Sequence, residues 1–347
     1  MSEGIAARLT CTLLLLLIIC NGYPQDAESQ PVRIMFYNVE NFFDIFDDTL
    51  TGDDDFLPDG VMRWGVTRYN RKLGTLYKTI IAAGEWEPPS VVALCEIENR
   101  KVLEDLLFRT YLSKYDYSII HNDSPDPRGI DVCLIYRKDI VKITGYRYLK
   151  PARTAGSDFS TRSILMVKCI IGDEMVHLFV NHWPSRRGGI LAAEDQRKEI
   201  AGMVKQSADS IAAADSGNAK IIIVGDFNAT PGDPVMRILT EVNGHGAFLI
   251  NLSEQADREQ GTYRYMGMWE MIDQVIVSQP LLDSETGLYT DGRMFRVFKP
   301  GFLLGKDPKY PGLSPLPTYR GYRYLGGFSD HLPVLLDLGV RLTVPKE

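Results

Sequence analysis

The sequence predicts a layered α/β (α+β) protein: two packed β-sheets, partly antiparallel, with helices on their outer faces. Three observations lead there. Short apolar runs bounded by turn residues recur along the chain, longer segments with helical spacing lie between only some of them, and no internal repeat or low-complexity linker follows residue 31. One domain over residues 32–341 is therefore expected.

The candidate strands, in order, are Val32–Tyr37, Val91–Cys95, Val132–Tyr136, Ile164–Ile171, Val176–Val180, Ile221–Val224, Ile272–Val277 and Leu332–Leu338. Each is short and rich in Val, Ile or aromatic residues, the signature of a buried strand. Helical spacing runs through Tyr69–Ala83, Arg100–Leu112 and Leu191–Ala214. No helix separates the strands of the segments Val132–Tyr136 and Ile164–Val180, so part of the sheet is antiparallel. Asp44–Gly60 is acidic and turn-rich and reads as a solvated loop, because EF-hand spacing is absent. Leu288–Gly327, rich in Gly, Pro, Tyr and basic residues, reads as an insertion between strands that shapes a substrate mouth.

Before this domain, Leu9–Cys20 is an apolar run too short to span a bilayer comfortably, and residues 21–31 are polar. Residues 1–22 therefore read as a signal peptide and 23–31 as a tether, giving an exported protein that is periplasmic, at the cell surface or extracellular. Cys20 is placed as a lipidated cysteine would be, a membrane tether through the N-terminus, although Ile18-Ile19 precede it where small residues are needed. Only Cys95, Cys133 and Cys169 remain beyond that segment. Three cysteines do not make a disulfide framework, and Cys95 and Cys133 lie in apolar runs as buried thiols would. The net charge of −7 weighs against tight non-specific binding of DNA through a basic face.

Polar residues cluster where the strands end. Asn38 and Glu40 follow the first strand, Glu96 the second, Asn181 and His182 the run Val176–Val180, and Asp226 and Asn228 the run Ile221–Val224. Strand ends are where sites gather in layered folds. A lone Asn or Asp there is usually a turn former, but four such ends together are not so easily dismissed. Carboxylate and amide oxygens suit Mg2+, Mn2+ or Ca2+ better than zinc, and histidines add proton exchange near neutral pH. Metal-assisted hydrolysis of a phosphate ester uses all of these groups.

The order of motifs resembles the endonuclease/exonuclease/phosphatase superfamily, with its DNase I-like fold. The blocks are Tyr37-Asn38-Val39-Glu40-Asn41, Leu94-Cys95-Glu96-Ile97-Glu98-Asn99, Arg128-Gly129-Ile130-Asp131 and Val180-Asn181-His182-Trp183-Pro184-Ser185. They continue with Gly225-Asp226-Phe227-Asn228, Ile272-Asp273-Gln274-Val275 and Phe328-Ser329-Asp330-His331-Leu332-Pro333-Val334. The resemblance implies a four-layered α/β sandwich. It also implies metal ligation by Glu96 with Asn38 and Asp330, and water activation by Asp226. Asn228 would hold the phosphate, which His182 and His331 would contact, His331 being oriented by Asp273. Arg128, Arg162, Arg186 and Arg187 are candidate substrate-binding residues; Asp131 would support the site or pair with an arginine. The opening block with Phe42-Phe43-Asp44 is similar to the secreted bacterial nuclease/phosphatase branch.

These features imply an enzyme whose partner is a phosphate-ester substrate, with nucleic acid foremost and small sugar or inositol phosphates as the alternative; no stable protein partner is implied. A binding protein that kept the fold without catalysis is the reading from another class, and the full set of expected residues argues against it.

Overall fold

Strand β1 (Val32–Phe42) is covered on both faces, and its alternation sets the architecture. Ile34 and Phe36 pack into one core, Met35 and Tyr37 into another. After it come α1 (Val66–Gly84), β2 (Val91–Ile97), α2 (Arg100–Phe108), β3 (Tyr117–Ile120), β4 (Asp131–Arg137) and β5 (Val141–Leu149). Next are β6 (Ile164–Ile171), β7 (Glu174–His182), α3 (Ile190–Ala214), β8 (Lys220–Asp226), α4 (Pro234–Thr240) and β9 (Leu249–Asn251). A hairpin, β10 (Tyr263–Tyr265) and β11 (Met268–Glu270), leads into β12 (Asp273–Ser278). Short strands β13 (Leu288–Tyr289), β14 (Phe295–Val297), β15 (Leu304–Lys306), β16 (Leu313–Pro315), β17 (Tyr319–Arg320) and β18 (Arg323–Tyr324) precede β19 (Val334–Val340). The computed structural model describes residues 31–151, 161–185, 190–242, 247–255, 261–283 and 287–340.

Two sheets result. The first has the order β13-β19-β1-β2-β4-β3 with β14 also on β19; the second has the order β5-β6-β7-β8-β12-β9. Each is antiparallel except at its centre, where β1 lies parallel to β2 and β7 parallel to β8. The connection of each parallel pair contains a helix, α1 or α3, as a parallel crossover requires.

The layers follow from period-2 burial. Ile34, Phe36, Ala93 and Leu134 of the first sheet meet Val167, Leu178, Ile222 and Val275 of the second in a central core. Met35, Tyr37 and Leu94 face α1 and α2, packing on Leu73, Leu76 and Leu106. Phe179, Ile221 and Ile223 face α3 and α4, packing on Val204, Ala208 and Leu239. The arrangement is helix, sheet, sheet, helix: the four-layered sandwich.

Several boundaries differ from expectation. Helix α1 starts at Val66 rather than Tyr69, and α2 stops at Phe108, with a 3-10 turn over Tyr111–Lys114 beyond it. The last strand begins at Val334, not Leu332, because Pro333 has no N–H for a ladder. The segment 288–327 is more than an insertion: β13 and β14 extend the first sheet by pairing with β19. The acidic loop carries one 3-10 turn and is fastened to the loop before β4 by Gly52 N–H on the Pro127 carbonyl. The signal-peptide and tether readings, Cys20, Arg186 and Arg187 lie outside the described residues. Cys95, Cys133 and Cys169 are buried free thiols, as expected for the first two.

Candidate active site

The alternation that builds the central core also builds the site. Ile34 and Phe36 point inward, so Asn38 does; Leu178 and Val180 lead to His182, and Ile222 and Val224 to Asp226. On β12, Val277 and Val275 lead back to Asp273, which pairs in register with Asp226. Four polar side chains thus cap one end of an apolar layer. They come from parallel strands at their C-terminal ends and from the antiparallel β12 at its start.

Glu96 breaks this rule. Its neighbour Cys95 faces the central core, so a regular strand would turn Glu96 toward the helices. A bulge between Cys95 and Ile97 intervenes, with Glu96 at φ 63°. Bulges re-aim side chains in this way, and left-handed backbone at non-glycine residues concentrates at functional sites. The same conformation occurs at Glu40 (φ 54°), Asn41 (φ 55°) and Asn228 (φ 47°), all beside the cleft.

Asp226 is the centre of the arrangement. Its Oδ2 accepts from Asn38 Nδ2 at 3.0 Å and its Oδ1 from the Asn228 N–H at 2.9 Å. His182 Nε2 and His331 Nε2 each lie 3.8 Å from Oδ2. Asn38 Nδ2 is also 3.4 Å from Glu96 Oε1, and Glu96 Oε2 accepts from the Asn41 N–H at 2.9 Å. His182 Nε2 is 3.8 Å from that same Oε1. His331 Nδ1 is 2.8 Å from Asp273 Oδ2, and Asp330 Oδ1 lies 4.0 Å from His331 Nε2. Asn38, Glu96, His182, Asp226, Asn228, Asp273, Asp330 and His331 therefore come together in one cleft. Gly225 makes this register possible: a Cβ there would sit 2.5 Å from Asn181 Cβ on the adjacent strand.

Electrostatics separates the two histidines. Burial lowers the pKa of His182 well below the ordinary range, and the charges of Arg162 and Arg128 push the same way, so its ring is neutral. Burial would lower His331 too, but Asp273, Asp226 and Asp330 outweigh it and hold the ring as imidazolium. The Asp226 carboxyl is pushed up to about 7 by burial, against the pull of His331.

Grouped acidic and imidazole side chains capable of holding a cation are present. One such set, its ligand atoms all within 4.8 Å of one another, is Asp226, Asp273 and His331 in the cleft. Their atoms are largely committed to Asn38, Asn228 and to each other, so the more open carboxylates Glu96 and Asp330 are the better cation donors. Oxygen donors of this kind fit a hard divalent ion.

The candidate arginines divide. Arg162 is buried, its Nη1 on Asp126 at 3.0 Å and its Nη2 on the Trp183 carbonyl at 3.0 Å, so it braces the loop after His182. Arg128 is half-exposed, with Nε 3.4 Å from the same Asp126. Asp131 pairs with a histidine instead of an arginine: His121 Nε2 lies 3.1 Å away, because β3 and β4 are neighbours and bring the two together.

Sequence reasoning missed three contributors. Tyr263 lays its ring against His331, centroids 4.9 Å apart. Ser329 Oγ donates to the Asn38 carbonyl at 2.8 Å and accepts from the His331 N–H at 3.0 Å, tying β1 to the Asp330-His331 turn. Glu40, placed after a strand and in the first block but given no role, accepts from the Thr318 and Tyr319 N–H groups. For Ser329 and Glu40 the signal was their position within a motif block; Tyr263 had none.

Residues 33–339 match a family described as "Endonuclease/Exonuclease/phosphatase family". Nocturnin of Drosophila melanogaster is 28% identical over 160 residues, 42% of this chain but only 23% of that protein's length. An endonuclease/exonuclease/phosphatase structure from Bacteroides vulgatus superposes with a TM-score of 0.57 at 14% identity, covering 90% of this chain and all of that one. The D. rerio TDP2 structure complexed with single strand DNA product gives a TM-score of 0.54 at 14% identity, covering 89% of this chain and 99% of that one. With the family matched along nearly the whole sandwich and its polar residues gathered at one end, the chain belongs to the endonuclease/exonuclease/phosphatase family.

Proposed function

We propose that the chain is a divalent-cation-dependent phosphodiesterase acting on nucleic acid. The observation that carries this reading is the Asp226 carboxylate, held by Asn38 and Asn228 and placed between a neutral and a protonated histidine. The resemblance to a fold solved with a single-strand DNA product favours nucleic acid as the substrate class.

In this reading Asp226 takes the proton of the attacking water, a role suited to a carboxyl that titrates near neutral pH. His331, kept charged and oriented by Asp273, donates from Nε2 to a phosphate oxygen. His182 contacts the phosphate from the other side as a neutral ring, and Asn228 holds it. Glu96 and Asp330, with Asn38 beside them, hold the cation; Mg2+ is the first choice, Mn2+ or Ca2+ next. When bound, the cation neutralises charge on the phosphate.

The acidic loop over residues 44–60 and the net charge of −7 favour a second reading, a phosphatase of small sugar or inositol phosphates. One assay separates the two: a DNA oligonucleotide, an RNA oligonucleotide, p-nitrophenyl phosphate and inositol phosphates, each with Mg2+ and then with EDTA. Cleavage of an oligonucleotide, lost in EDTA, supports the nuclease. Turnover of the small phosphates alone selects the phosphatase, and inactivity on all of them with every divalent ion overturns both.

A further inference from the structure

Helix α1 buries Tyr69, Leu73, Leu76 and Ile80 against the first sheet, and Lys72 lies on that same face, 1% exposed. A lysine there is costly unless its ammonium is fully engaged. It is engaged on two points of one segment: Nζ donates to Thr318 Oγ1 at 2.6 Å and to the Phe328 carbonyl at 2.7 Å. Glu40, at the end of β1, accepts from Thr318 N at 2.5 Å and Tyr319 N at 3.0 Å. Thr318 is thus gripped through its hydroxyl by one side chain and through its N–H by the other. Phe328 directly precedes Ser329, Asp330 and His331, and Ser329 closes the loop back onto the Asn38 carbonyl. The ammonium also acts on Glu40, Asp330 and Glu96, which oppose the lowering of its pKa by burial.

We propose that Lys72 is a positioning residue: its buried ammonium fixes the Phe328–His331 turn against the end of β1, so that Asp330 and His331 keep their places relative to Asn38 and Glu96. The proposal rests on the hydrolytic reading of the site. A lysine that merely fills the core behaves otherwise: its loss costs stability, because the buried Glu40 loses a compensating charge, but leaves kcat and the His331–Asp273 hydrogen bond unmoved.

The test compares wild type with Lys72→Met by kcat and KM on the best phosphodiester substrate. Proton NMR in parallel follows the low-field resonance of the 2.8 Å hydrogen bond between His331 and Asp273. Lys72→Met is expected to fold, to lower kcat by about 100-fold with KM little changed, the scale of a small misplacement, and to shift or broaden the low-field proton. Wild-type kcat with an unmoved resonance overturns the proposal. If Lys72→Met does not fold, Thr318→Val and Thr318→Ser take its place: the valine variant must lower kcat and the serine variant restore it, and equal activity of the two overturns the idea. If wild type hydrolyses no phosphate ester, the hydrolytic reading fails by itself, and the resonance in Lys72→Met still decides whether the lysine positions His331.

Discussion

His182 and His331 stand on either side of Asp226, each with Nε2 3.8 Å from its Oδ2, yet their surroundings drive them to opposite charge states. Asp273 makes the difference, since it reaches His331 and not His182. Groups pushed apart in this way divide acid from base work within one cleft. His331→Ala and Asp226→Asn are each expected to lower turnover by about 100-fold or more while leaving the thermal unfolding midpoint near that of wild type; rate and melting curves check both. Gly225→Ala should act the other way. Its new Cβ meets Asn181 Cβ and the Asn181 carbonyl within 2.6 Å, which costs about 1–3 kcal/mol of stability, readable by urea unfolding. At this scale the strand-end residues were legible, because carboxylate, amide and imidazole at successive strand ends are unusual for turns. The partners of Asp131 and Arg162 were not, since His121 and Asp126 come near them only through strand pairing and loop packing. Lys72 gave no sign either, as an amphipathic helix ordinarily turns its lysines to water.

Among the elements, β19 carries an unusual burden: it pairs with β1 on one side and with β13 and β14 on the other. Asp337 in its middle receives Arg33 Nε from β1 at 2.6 Å and Arg296 Nη1 from β14 at 2.7 Å. Burial would raise the pKa of Asp337, but these hydrogen bonds and charges win and lower it. A carboxylate with a depressed folded pKa contributes stability that is present above its unfolded value of about 4 and is lost as pH falls through the folded value. Asp337→Asn should therefore cost about 3 kcal/mol at pH 7, and the gap between variant and wild type should close as pH falls below about 4. Urea unfolding across that range measures it; a gap independent of pH would contradict the ion-pair account. The long apolar strands were readable because four or more alternating or continuous apolar residues mark them. Strands β13 to β18, of two or three residues, carry no such pattern; β13 and β14 are set by pairing with β19, and β15–β16 and β17–β18 are short local ladders.

On the scale of the whole molecule, one layer of apolar side chains between two sheets ends in a cleft, and the alternation that fills the layer aims the chemistry into it. That is why the sandwich and its site were legible together, while the rim was less so. Tyr263 packs on His331 at the cleft, the ammonium of Lys299 lies 3.7 Å from the Trp269 ring centroid, and residues 44–60 add an acidic loop. Mixed charge of this kind leaves substrate choice to loops rather than to the sandwich. The most direct measurement is the initial rate of oligonucleotide cleavage by wild type and Asp226→Asn across a Mg2+ titration, with EDTA as the zero point. The account predicts cleavage that appears with Mg2+, vanishes in EDTA and falls by about 100-fold or more in Asp226→Asn at saturating metal. Cleavage that persists in EDTA, or an Asp226→Asn variant that matches wild type, would contradict it.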